Sequence, residues 1–108
     1  MISGKQFAEM ALSFPGTEQV KHFERAGFKV TGRRMFATYL EKDNTANIFL
    51  RPEVQYVFCK ACPEIIFPVP NKWGLNGATT VRLDKAKKGM VMEMLNNAYD
   101  EVVKAKKK

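Results

Sequence analysis

Two cysteines three residues apart, Cys59-Lys60-Ala61-Cys62, form the one pattern in this chain that points to a particular chemistry. Such a pair holds a metal when further ligands join it. It does redox work when one thiol sits at a helix N-terminus, where the dipole favours the thiolate. The sequence offers neither setting. The only other soft or nitrogen ligand of this kind is the single histidine, His22, far away along the chain. The apolar spacing before Cys59 places the pair at the end of a helix that Pro63 closes, and a helix C-terminus favours the neutral thiol. The cysteines therefore read as ordinary buried or half-buried residues, with no metal and no cofactor expected. His22 would need an orienting carboxylate to act as a base, and only Glu18 and Glu24 flank it, so it reads as a strand residue with polar contacts. No nucleophile with its base and no phosphate-cradling glycine pattern is visible, so the chain is not expected to be an enzyme.

What remains is cationic and aromatic. Eighteen Lys and Arg against eleven Asp and Glu give a net charge of +7, which attracts polyanions, nucleic acid before anionic membrane. Lys29, Arg33, Arg34, Arg51, Lys72 and Arg82 fall on expected strands or their turns, interleaved with Phe36, Tyr39 and Phe49. They could grip phosphate from a sheet face or a hairpin tip. The competing reading is a solvated face with cross-strand charge pairs. The only tryptophan, Trp73, sits in Phe67-Pro68-Val69-Pro70-Asn71-Lys72-Trp73-Gly74-Leu75-Asn76-Gly77, where prolines fix φ and glycines admit unusual backbone angles. It reads first as the plug that closes the core. Its second reading is a pocket wall or stacking platform, a role in which Tyr39 would join it.

The elements that must position these residues follow from periodicity. Ser3 and Gln6 have the form of a capping box, and Phe7, Met10, Ala11 and Phe14 follow at helical spacing, so a helix is predicted over 3–14. The period then changes to two. Short strands are predicted at 20–23, 28–30, 34–40 and 45–51, joined by polar connections too short for anything but antiparallel pairing. Pro52 opens a second helix over 52–61, residues 65–67 are extended, 79–83 is a fifth strand, and 88–104 is the last helix. The open face of the sheet should present Lys29, Thr31, Asn47, Phe49, Arg51, Thr80 and Arg82. The fold class is α+β, a two-layer arrangement of an antiparallel sheet of about five strands with three helices on one face. At 108 residues the chain makes one domain over 1–103, followed by a basic tail over 104–108. No apolar run is long enough to span a bilayer and the start lacks a signal-peptide pattern, so a cytoplasmic location away from membranes is expected.

Two blocks in this order resemble the MmcQ/YjbR-like family: Gly27-Phe28-Lys29-Val30-Thr31-Gly32-Arg33-Arg34-Met35-Phe36-Ala37-Thr38, and Pro70-Asn71-Lys72-Trp73-Gly74-Leu75-Asn76-Gly77-Ala78-Thr79-Thr80-Val81-Arg82-Leu83. His22-Phe23 and Phe67-Pro68-Val69-Pro70 add to the resemblance, which runs from Ala11 to Tyr99. It implies a small α+β domain similar to the type III secretion-chaperone fold, and DNA binding through a double-wing arrangement of hairpins, with no catalytic residues to carry over. The expectation is a non-enzymatic DNA-binding domain. The alternative is an adaptor that binds a protein or a small ligand, and the oligomeric state is left open.

Overall fold

The computed structural model describes residues 1–104. Ser3 caps α1 (Gly4–Leu12) as its sequence predicts: its hydroxyl accepts from the Gln6 amide at 3.1 Å, and the Gln6 side chain accepts from the Ser3 amide at 2.9 Å. Four strands follow, β1 (Thr17–His22), β2 (Arg25–Val30), β3 (Met35–Leu40) and β4 (Thr45–Phe49), then α2 (Pro52–Ala61) with Pro52 in its first turn. β5 (Ile66–Pro68), α3 (Lys72–Leu75), β6 (Ala78–Arg82) and α4 (Lys88–Lys104) complete the fold. Among the described residues, six strands thus stand where about five were expected, and four helices where three were. The extended segment at 65–67 has become an edge strand. Part of the Trp loop winds into one helical turn, because the Asn71 side chain accepts from the Trp73 amide at 2.8 Å. The tail expected over 104–108 lies, from residue 105 on, outside the described residues.

The strand order is β1-β2-β3-β4-β6-β5, and every neighbouring pair is antiparallel. Because β6 is antiparallel to both β4 and β5, those two run parallel to each other, and α2 supplies the crossover that parallel strands require. The register separates two faces. Phe28, Ala37, Ile48 and Thr79 lie in line across four strands, as do Ala26, Tyr39, Ala46, Val81 and Ile66. These rows face the helices, where Phe7 and Ala11 of α1 and Val91, Met94, Leu95, Ala98 and Val102 of α4 are buried against them. The alternate row, Gly27, Thr38, Asn47, Thr80 and Phe67, lies on the open face.

One irregularity keeps both faces consistent. Phe28 pairs with Ala37 but Lys29 pairs with Met35, so Phe36 is an extra residue in β3, a β-bulge. Strict alternation would put Phe36 on the same face as Thr38. The bulge instead turns it into the core, fully buried, with its ring 6.3 Å from Phe14 and 5.9 Å from Tyr99. Met35 consequently falls on the open face beside Lys29. Truncating Phe36 to Ala is expected to cost about 3–5 kcal/mol in urea unfolding. A loss below about 1 kcal/mol would show that the bulge is not held by this ring.

Candidate binding site

Residues 69–77 join β5 to β6, and their shape is set by backbone approaching backbone. A Cβ on Gly74 would stand 1.7 Å from the Val69 carbonyl oxygen, and one on Gly77 would stand 1.6 Å from that of Leu50. Gly77 also has φ +110°, which side-chain-bearing residues rarely adopt. From below, the buried side chain of Gln55 donates to the carbonyls of Gly74 at 3.0 Å and Ala78 at 3.1 Å. With the space under the loop filled by main chain and an amide, a tryptophan has no room there. Trp73 is 68 % exposed, so the reading of this ring as the plug of the core is corrected.

Trp73 borders a cavity of about 770 Å³ on the open face. Thr38, Asn47 and Met35 line it from the sheet, Phe49 from the end of β4, Arg51 from the N-cap of α2, and Arg34 from the β2–β3 turn. His22, Phe23 and Arg25 reach it from the β1–β2 hairpin. Phe23 holds φ 57° in that turn and its ring is exposed, 4.9 Å from the His22 ring. Two polar atoms at the cavity residues are buried without a hydrogen-bond partner among the described residues: the Thr38 hydroxyl and Nη1 of Arg25.

The expected cations do not share one environment. Arg34 is exposed at the cavity, Lys72 is exposed on α3, and Lys29 is half-buried on the open face. Arg51 reaches the same cavity but pairs with Glu53 and, at 4.0 Å, with Glu101. Arg82 pairs with Asp84 at 3.3 Å, away from the cavity. Arg33 points elsewhere, donating to the Val102 carbonyl of α4 at 3.2 Å. Tyr39 lies under the helices: its ring stacks 6.1 Å from Phe7 and its hydroxyl donates to Asn44 Oδ1 at 2.9 Å. Burial first, and the Glu41 carboxylate second, push its phenol above the ordinary value. Thus the fold gathers Arg34, Arg51 and Trp73 at one place and leaves Arg33, Arg82 and Tyr39 outside it. Phe23, Met35 and Thr38 entered the sequence reading only within the family-like blocks, and Arg25 not at all, so none was expected at a site; the alternation through Asn47 and Thr80 carries a trace of Thr38, masked by the bulge.

The cysteines sit half-buried at the end of α2, with Cys62 Sγ 3.9 Å from the Met90 sulfur. Burial pushes the Cys59 thiol up, away from the reactive thiolate. Among the described residues, no group of three or more His, Cys, Asp or Glu is placed to hold a metal ion. No helix among them is long and apolar enough to cross a membrane.

Comparison with known proteins bears on the whole domain. The model of the YjbR family matches residues 12–101. The crystal structure of Deinococcus radiodurans protein DR2400, described with a DUF419 domain, is similar with a TM-score of 0.81 at 24 % identity. That match covers 96 % of this chain and 80 % of the other, and at this identity it speaks for the fold. Among curated proteins none matches.

The close approach at Gly77 can be tested against a permissive glycine. Gly77→Ala is expected to cost at least about 2 kcal/mol in chemical denaturation, from its φ and from the Leu50 carbonyl together. Gly89→Ala, in the first turn of α4 with nothing within 4 Å of the new methyl, should gain up to about 1 kcal/mol. Equal effects at the two positions would refute this description of the loop.

Proposed function

The chain belongs to the YjbR family, and for this member we propose binding of single-stranded nucleic acid on the open sheet face, without catalysis. The observation that carries this reading is the placement of two exposed rings, Phe23 and Trp73, around a cavity that the exposed Arg34 also lines. Bases stack on such rings whatever their identity, at about 1–3 kcal/mol per base, while cations follow the phosphate backbone. Rings favour a single strand over a duplex, because paired bases hide their faces within the stack. The net charge of +7 supplies the long-range attraction.

The basic-hairpin expectation is thereby narrowed. Arg33 is engaged with the end of α4, so Arg34 is the outward contact of that turn; Lys29, opposite Met35 on the open face, and Lys72, exposed on α3, stand outside the cavity lining. Contacts of this kind give affinity without base reading, so binding should be sequence-tolerant and strongly dependent on salt.

Trp73 is the only tryptophan and so reports on its own surroundings. An oligothymidine of about twelve nucleotides should quench its fluorescence at low salt. Trp73→Ala, followed by polarisation of a labelled strand, should weaken binding by about 1–3 kcal/mol. Arg34→Glu should flatten the salt slope by about 0.7, one single-strand phosphate contact. Absence of binding to any single strand at low salt would contradict the proposal.

A further inference from the structure

Thr38 stands in the middle of the open face, yet only 2 % of it is exposed, and its hydroxyl has no hydrogen-bond partner among the described residues. Native structures seldom leave a buried polar group in that state without a reason. The second such atom is Nη1 of Arg25. Gly27 pairs directly with Thr38, and Arg25 lies two residues along β2 on the same face. The arginine is therefore a diagonal neighbour of the hydroxyl, within reach of a long side chain. Both belong to the cavity of about 770 Å³, a size usual for small-molecule sites. The walls around them are largely apolar, with Met35, Phe49, Val69 and Trp73 among them.

We propose that this cavity binds a small organic acid, a flat apolar body carrying one carboxylate. The guanidinium of Arg25 and the hydroxyl of Thr38 donate to the two carboxylate oxygens, and Phe49 and Trp73 take the ring. A guanidinium fork matches a carboxylate in geometry as well as in charge. A single anionic head fits because the two partnerless donors belong to diagonal neighbours of adjacent strands that both line this cavity, while Arg51 at the mouth is already paired with glutamates. The site stands whether or not a nucleic-acid strand occupies the same face.

The test uses the whole protein without nucleic acid and three probes: 2-naphthoate, its neutral isostere 2-naphthamide, and acetate. Calorimetry should give binding of 2-naphthoate at least about tenfold tighter than of the amide, the worth of a charge-assisted hydrogen bond. Acetate, which has the head without the ring, should not bind measurably. Thr38→Val should weaken 2-naphthoate by about tenfold while raising Tm by about 4 °C, because it removes a buried hydroxyl that is unpaired in the free protein. Arg25→Met, which keeps an apolar stem, should make acid and amide bind alike. Equal binding of acid and amide to the unaltered protein overturns the proposal. So does a Thr38→Val protein that gains stability but binds 2-naphthoate unchanged, since Thr38 would then be a flaw of packing or a water site only. Failure of oligothymidine to bind, with these results intact, would remove the nucleic-acid reading alone.

Discussion

The side-chain amide of Gln55 ties the crossover helix to the loop that carries the only tryptophan. Its nitrogen donates at once to Gly74 and Ala78, at the turn of α3 and at the start of β6. The same segment is pinned by the Leu50 amide on the Gly77 carbonyl at 3.0 Å and by the Val69 amide on the Ala78 carbonyl at 3.0 Å. Only residues without a Cβ permit the approach, at Gly74 and Gly77. The helix α2, the end of β4, the loop and the start of β6 therefore form one packed unit. Everything at the cavity mouth, Trp73 above all, takes its position from that unit.

The second constraint is the phase of β3. By absorbing Phe36 into the core, the bulge lets the aromatic cluster of Phe14, Phe36 and Tyr99 form while Thr38 and Met35 remain on the other face. Tyr99 extends that cluster, donating to the Pro15 carbonyl at 2.6 Å and so fixing the end of α1 against α4. Met35 in turn lies close over Gly27, where a Cβ would meet its sulfur at 2.5 Å. A sheet face that would otherwise be flat and solvated thus acquires a floor with a buried hydroxyl, cationic walls and aromatic edges. Concavity of that kind, with few polar groups in an apolar lining, is what small-ligand sites share.

The elements were largely legible in the sequence, and the site much less so. Pro52 and the Ser3/Gln6 pair marked helix starts where the structure has them, and the stripe from Val91 to Val102 is the buried face of α4. Local signals sufficed there because caps and amphipathic stripes act within a few residues. The single turn of α3 is too short to carry a periodic signal. Trp73 was read as core because tryptophans are on average buried, a tendency that main-chain packing at two glycines overrides. Adjacent Arg33 and Arg34 looked equivalent, and only the position of the end of α4 separates them. Tyr39 looked like a sheet-face aromatic until the register placed it beneath α1. The partnerless state of Thr38 depends on neighbours from three strands, which no single segment announces.

The central claim is that this domain works through its open face and that the helical face serves to support it. Amide and indole chemical-shift mapping by NMR during titration with oligothymidine or 2-naphthoate tests this most directly. The largest changes are expected at the Trp73 indole and at the amides of Phe23, Arg34 and Thr38, with α1 and the middle of α4 unmoved. Changes concentrated on the exposed residues of α1, α2 or α4, with the Trp73 indole still, would contradict it.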